Sequence, residues 1–357
     1  MDSKTYWETR GKTKERMGDK SIAVLKSECK RLYEISLKNI QKEIDAFYGR
    51  YAGMNGLSIA DVQKRLNPDE LKSAKIEIAN YYNLVNKLAK DNKGKINVEL
   101  LRKYKEELRL QSARAYMSRL EGLKNSLRYN LIDLGFRQEI KFNDELSKLC
   151  ENIHSYTSFD IDKTLGFSAG YSAIPANKVE YLVNERWLGE NYSDRIWKDK
   201  NKLLDNINNT FLQGIARGQN SVAIAREIAK NYGTSFYNAE RLCITESAHI
   251  TESATMESYK EHGIDEIQFV ATLDAHTCPI CGGMDNQRYA RKEAMTGVNY
   301  PPLHPQCRCT TIAYFEPDEI DEMFEESERI AREDGVGEWY EVPASMSYAQ
   351  WINTVVK

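Results

Sequence analysis

Apolar residues recur at three- and four-residue steps through residues 1–165, which predicts one helix after another. Ile22, Leu25, Cys29, Leu32 and Tyr33 form such a stripe, continued by Ile40, Ile44 and Phe47. Glycines at 49, 53 and 56 interrupt it. Ser58 with Asp61 restarts a helix by a capping-type spacing, and Asn67-Pro68-Asp69-Glu70 does so more sharply. There Asn67 caps, Pro68 fits the first helical position and Glu70 reaches back. Leu71, Ala74, Ile78, Tyr81, Tyr82, Val85 and Leu88 line the helix that follows, and Asp91-Asn92-Lys93-Gly94 ends it. A long helix is expected from Asn97 to Leu134. Its narrow stripe of Leu120, Leu123, Leu127, Leu131 and Leu134 suits a helical hairpin or a coiled-coil-like arm.

A second unit is expected from Phe159. Gly166 to Pro175 is small and irregular, and helical spacing then returns with Val179, Leu182 and Val183. Leu203, Leu204, Ile207, Phe211, Leu212 and Ile215 form the next stripe. Arg217 to Ser221 reads as a tight turn with a terminal Gly and a capping Ser. A short helix to Gly233 and another over Ser235 to His262 complete the helical part. This helix–turn–helix pair is assigned to packing, since any helical bundle supplies one. Thr245-Glu246-Ser247-Ala248 recurs as Thr251-Glu252-Ser253-Ala254. A shift of six rotates by about 240° on a helix, so the copies face different neighbours and cannot do the same job. From Ile267 the period changes to two, and Ile267, Phe269, Ala271 and Leu273 read as a strand.

The 357 residues contain 41% hydrophobic and 29% charged positions, with 21 Tyr, 10 Phe and 5 Trp to build cores, which excludes wholesale disorder. No apolar run has the ~18 residues of a membrane span, and the start lacks the apolar stretch of a secretory signal. A reducing compartment is therefore expected. Residues 1–150 carry 31 Lys and Arg against 21 Asp and Glu, a balance of +10. Residues 151–315 come to -4 and residues 316–357 to -9. The basic half is compatible with a polyanion, and the tail with a basic partner. The expected tail is a weakly docking acidic helix over Asp318 to Ala331, then a flexible joint at Gly335 and Gly337. An aromatic anchor at Trp339, Tyr340, Tyr348 and Trp351 would close it and could compete with DNA for the basic half.

Four of seven cysteines fall between 278 and 309, a clustering that favours a metal over a disulfide framework. Cys278-Pro279-Ile280-Cys281-Gly282-Gly283 places two thiolates on one tetrahedral Zn²⁺, and the glycines let backbone amides turn toward the sulfurs. His304-Pro305-Gln306-Cys307 is the second half. Cys309 is a fifth donor, so His304 and Cys309 compete for one place. Structural zinc ranks before disulfides and before a redox dithiol, which would sit at a helix start. Asp274 and His276 are the nearest acid/base pair. They read as a turn cap and a surface residue, so no catalytic residue and no enzyme is expected.

Asp274-x-x-Thr277-Cys278-x-x-Cys281, a polar hairpin at Asp285-Asn286-Gln287 and Pro302-x-His304-Pro305-x-Cys307-Arg308-Cys309 together resemble the Mu F-type minor head (head-morphogenesis) proteins of tailed bacteriophages. Trp187-Leu188-Gly189, Ser193 to Trp197, the Ile215–Ser221 turn and Thr245-Glu246 are similar too, so the resemblance covers residues 180–315. It implies a minor capsid protein of the virion that is made in the host cytoplasm and sits in the capsid interior or at the portal vertex. Its implied partners are the portal and the capsid or scaffold proteins, with non-specific contact to double-stranded DNA. It implies a role in head morphogenesis and in DNA packaging or delivery, including ejection with the genome. The rival is a metal-dependent nuclease or toxin-like effector acting on nucleic acid. The expected fold is mainly α. It has an extended helical N-terminal arm (1–165), a helical core (166–265), a small C-terminal α+β zinc-binding module (266–315) and the acidic tail (316–357).

Overall fold

In the computed structural model, residues 3–52, 57–165, 173–315, 328–332, 340–343 and 350 are described. Among them the chain is mainly helical. The helices are α1 (Ser3–Tyr51), α2 (Ile59–Gln63), α3 (Pro68–Asp91), α4 (Val98–Ser112), α5 (Arg119–Leu165), α6 (Ala176–Asn184), α7 (Tyr192–Ala216), α8 (Ser221–Glu261) and the short α9 (Pro279–Met284). Two compact units divide them. One holds Met1–Val24, Glu145–Asn191 and Arg241–Lys357, and the other Leu25–Asp144 and Tyr192–Glu240.

The starts of α2 and α3 follow their sequence signals, since Ser58–Asp61 and Asn67–Glu70 each close a full capping box. Gly94, at φ +80°, sits in the turn after α3. Three helical expectations fail. The helix expected from Asn97 to Leu134 is broken between α4 and α5. There Ser118 and Glu121 form another reciprocal cap, with the Ser118 N–H 2.7 Å from the Glu121 carboxylate and the Glu121 N–H 3.2 Å from Ser118 Oγ. The two helices expected on either side of Gly233 are one, because Gly233 takes ordinary helical backbone and a helix passes through glycine at a cost of only about 1 kcal/mol. At the start of α8 the capping side chain is Asn220, which accepts the Ala223 N–H at 2.9 Å, rather than Ser221.

The core of the Leu25–Asp144 and Tyr192–Glu240 unit gathers Ile78, Val85, Ile96, Tyr104, Leu108, Met117, Tyr129, Ile132, Phe136 and Trp197. Trp197 reaches this core by lying on bare backbone, since a Cβ built on Gly135 would stand 2.7 Å from its ring. In α5 the leucines at 123, 127, 131 and 134 are buried, but so are Tyr129, Ile132 and Phe136. The burial is wider than the narrow stripe of a coiled-coil arm. A second polar cluster is also interior: Lys200 Nζ lies 2.9 Å from Asp199, and Asn238 donates to the same carboxylate at 2.9 Å.

In the other unit, β1 (Glu266–Val270) is the centre of an antiparallel sheet between β3 (Arg288–Ala290) and β4 (Thr310–Tyr314), with Ile267 opposite Tyr289 and Ala313. Its apolar residues pack on the end of α8, with Ile161, Tyr259, Ile264, Ile267, Tyr300 and Ile312 in one cluster. The first turns of α1 join them. Gly11 lies against Thr310 and Ile312, Gly18 against Thr251, and between them the buried Lys14 ammonium donates to the Thr311 carbonyl at 2.9 Å. A second sheet pairs β2 (Leu273–Asp274) in parallel with β5 (Glu328–Arg332), which pairs with the antiparallel β6 (Tyr340–Pro343). Residues 328–331, expected as helix, are therefore strand. The glycine joint at 335 and 337 and the aromatic anchors at 339, 348 and 351 lie outside the described residues, as do residues 166–172 of the irregular stretch.

Candidate metal centre

The strand β1 delivers the chain to a turn built on Asp274. This carboxylate is fully buried and accepts the His276 N–H at 2.9 Å. Arg308 closes on it from the far end of the module, with Nη2 2.8 Å from Oδ1 and Nη1 on Oδ2. Thr272 Oγ1 donates to the Arg308 carbonyl at 2.7 Å, so the two Cys-bearing turns are laced together by one acid, one base and one hydroxyl. Asp274 thus caps the turn, as its position suggested, and His276 is exposed. In the sequence Arg308 stood only as the middle of the Cys307-Arg308-Cys309 motif, with no role assigned to it.

Cys278 is the N-cap of α9. Its Sγ accepts the Cys281 N–H at 3.4 Å, with Pro279 in the first turn. The Cys-x-x-Cys pair therefore does stand at a helix start, contrary to the sequence-based objection to a dithiol. The Gly282 amide donates to the Cys278 carbonyl at 2.9 Å, so the amide that serves the sulfur comes from Cys281. The polar hairpin is pinned to β1: Asn286, at φ +65°, donates its N–H to the Phe269 carbonyl at 2.9 Å, and the Asp285 carboxylate accepts the Ala271 N–H at 2.9 Å.

The second donor turn rests on α8. Gln306 takes a left-handed conformation, φ +64°, and its N–H is held by Thr245 Oγ1 at 3.0 Å. Cys307 N–H closes the turn on the His304 carbonyl at 3.1 Å. The imidazole Nδ1 of His304 lies 2.9 Å from the Pro305 carbonyl, to which it donates, and this leaves Nε2 as the free lone pair. Nε2 stands 3.3 Å from both Cys278 Sγ and Cys281 Sγ. Cys281 Sγ is 3.9 Å from Cys307 Sγ. Two donor groups converge within 4.8 Å, Cys278–Cys281–His304 and Cys281–Cys307–Cys309, and they share Cys281. All five predicted donors are thus brought together. The donor set is sulfur-rich, enclosed and supplied with one tautomer-fixed imidazole, which fits a metal ion such as Zn²⁺.

The electrostatics agree with a cation-seeking site. Burial pushes the Cys278 thiol up, but the Cys281 N–H and thiol and the nearby His304 outweigh it and hold it below the usual range. Three buried thiols in contact cannot all ionise. The negative charge settles on Cys307, toward which Cys281 and Cys309 donate, so Cys307 is lowered while both neighbours are raised. All seven cysteines are free thiols.

The repeated Thr-Glu motif makes its contacts on two faces of α8. Glu246 accepts from Trp187 Nε1 at 3.2 Å, and His249 stacks on the same indole, ring centres 4.6 Å apart. Glu252 accepts from Thr310 Oγ1 at 2.6 Å and Thr311 Oγ1 at 2.8 Å, anchoring the strand that follows Cys309. The 240° rotation expected from the six-residue shift is what separates these two tasks.

Residues 205–312 match the family described as Phage Mu protein F like protein. This segment is Mu F-like. It contains the end of α7, all of α8, β1 and every candidate metal donor, so the family match and the site occupy the same stretch of chain. The match supports a phage head protein at the coarse level. The chain is also 26% identical over 168 residues to NAD(+)--arginine ADP-ribosyltransferase EFV of Enterococcus faecalis, a match covering 43% of this chain. It spans about a third, 34%, of that relative's length. No solved structure matches at a significant level. Among the described residues no helix is long and apolar enough to cross a membrane.

Proposed function

We propose that this chain is a minor head protein of a tailed phage, seated at the portal and acting in head morphogenesis and in DNA packaging or delivery. The observation that carries the reading is the Mu F-like match of residues 205–312, whose donor cluster is built into the sheet that packs on α8. In this reading the portal and the capsid or scaffold proteins are its protein partners. Duplex DNA is contacted through phosphates, and the site of action is the capsid interior or the portal vertex. Zn²⁺ would cross-link the two Cys-bearing turns, held by Cys278, Cys281 and Cys307 with His304 as the fourth ligand. His304 is preferred to Cys309 in this reading because its Nε2 stands 3.3 Å from both sulfurs of the Cys-x-x-Cys turn, whereas Cys309 groups with Cys281 and Cys307. The test is co-purification with the portal protein encoded in the same phage. A stable complex is expected, and its absence at micromolar concentrations of both proteins would end the portal assignment.

The similarity to an ADP-ribosyltransferase favours a second reading, a toxin-like effector. The nuclease form of that reading has little to stand on here, because Asp274 is buried and ion-paired to Arg308 rather than open to substrate. Plasmid cleavage with Mg²⁺ or Mn²⁺, abolished by Asp274→Ala with the fold retained, would reinstate it.

A further inference from the structure

A cavity of about 300 Å³ lies among α1, α3 and the start of α5, wholly inside the Leu25–Asp144 and Tyr192–Glu240 unit. That volume is at the lower end for small-molecule sites. Its walls carry four carboxylates, Glu43, Asp69, Glu70 and Glu77, against the guanidinium groups of Arg50 and Arg119. Both cations lie toward Tyr51, and Arg50 also acts on Glu43 by its charge. Arg119 lies 4.2 Å over the Tyr51 ring centre and Arg50 5.8 Å from it, and Arg50 Nε donates to the Ala46 carbonyl at 3.2 Å. Among the described residues neither forms an ion pair with these acids. Among the described residues Glu77 receives only the buried Ser126 hydroxyl, at 2.9 Å, and Glu43 receives no side-chain donor. Half-burial and then the charge of Glu77 push the Glu43 carboxyl up, and the charges of Arg50 and Lys42 offset this only in part. Two half-enclosed carboxylates therefore repel each other across a cavity that holds room for a cation.

The shape selects the kind of cation. Among the described residues the donor groups that converge tightly enough for a metal lie elsewhere, so these acids are spread along the cavity. Glu70 and Glu77 are two turns apart on α3, about 10 Å along its axis. Phe47, Leu66 and Leu123 supply apolar wall to the same cavity. Ammonium groups separated by methylene chains suit walls that carry both acids and hydrocarbon. We propose that this cavity binds a linear aliphatic polyamine, its terminal ammonium groups on Glu43/Glu77 and on Glu70. The proposal does not depend on the head-protein reading.

Titration calorimetry of the full chain with spermidine at low ionic strength tests it. One saturable site is expected. Glu43→Gln and Glu77→Gln should each weaken it at least tenfold, and Leu123→Trp, which fills the cavity without changing charge, should abolish it. Glu227→Gln, an exposed acid on α8, should leave it unchanged. N-acetyl-lysinamide, with a single ammonium, should bind at least tenfold more weakly than spermidine. Absence of saturable heat overturns the proposal. So does binding that survives Glu43→Gln and Glu77→Gln in variants whose thermal melts match the wild type, or N-acetyl-lysinamide binding as tight as spermidine.

Discussion

Glu139 shows how one buried acid sets a pH dependence. It is 1% exposed, accepts the Ser193 hydroxyl, and lies 3.4 Å from the Asn97 N–H. Burial raises its pKa to about 7, although the Ser193, Trp197 and Asn97 donors pull it down. In the unfolded chain it ionises near 4.3. The folded state therefore holds the extra proton between those values, and stability falls as pH rises through that window. The loss amounts to about 4 kcal/mol on the scale of about 1.4 kcal/mol per unit. Glu139→Gln should remove this slope, so the melting temperatures of variant and wild type should diverge in the variant's favour from pH 5 to pH 8. Identical pH profiles would show that Glu139 is ionised in the fold. The metal centre gives a second residue-scale expectation. Cys281 is the donor common to both groups, so Cys281→Ser should lose zinc and unfold the 266–315 module, whereas Cys309→Ser should retain one zinc per chain. Elemental analysis with near-UV circular dichroism reads both. Folded, metal-free wild type would refute the site.

Helix boundaries were legible wherever a side chain enforces them. Ser58–Asp61 and Asn67–Glu70 stand in the structure as their spacing foretold. The Ser118–Glu121 box is the same signal, hidden because the leucine stripe runs through it from Leu120 onward. Gly233 misled in the opposite direction. A lone glycine reads as a stop, yet here Tyr232 and Ser235 are buried on either side and packing carries the helix across. A Cβ at Gly233 would meet nothing within 4 Å, and its φ is not left-handed. Gly233→Ala should therefore stabilise the protein by about 1 kcal/mol, the helix-propensity difference, and raise the melting temperature by a few degrees. At Gly135, by contrast, an alanine would press on Trp197 at 2.7 Å and should destabilise by about 1–3 kcal/mol. If both substitutions lower the melting temperature, α8 is strained at 233 in a way its backbone does not show.

At the scale of the whole molecule, the two compact units divide the charge as unevenly as residues 1–150 and 151–357 do. The Leu25–Asp144 and Tyr192–Glu240 unit carries 31 Lys and Arg against 21 Asp and Glu, a balance of +10. The other unit carries 19 against 32, or -13. For the proposed DNA contact this places the phosphate-facing surface on the basic unit, with Lys87, Lys90 and Lys93 exposed at the end of the α3–α4 hairpin. Binding to random-sequence duplex should weaken by at least tenfold between 50 and 200 mM salt, by about the order expected when several phosphates are neutralised. Reversing those three lysines to Glu should lower affinity and flatten the salt slope, as mobility shifts would show. Affinity insensitive to salt would remove DNA from the partner set. Deleting residues 316–357 should leave the zinc content unchanged and, if the acidic tail competes for the basic unit, tighten DNA binding at low salt.

The sequence alone determined what depends on near neighbours: the helical class, the capped starts of α2 and α3, the strand at Ile267 and the five residues of one Cys/His cluster. Each follows from spacing within about ten residues, or from residue types whose chemistry allows few other uses. Tertiary structure decided what depends on contacts from tens to hundreds of positions apart. It set Arg308 on Asp274, hung the repeated glutamates on Trp187 and on Thr310–Thr311, and buried Lys14 against the Thr311 carbonyl. Local propensity is silent on such pairings, because a buried charge is tolerated only where the folded chain supplies its partner.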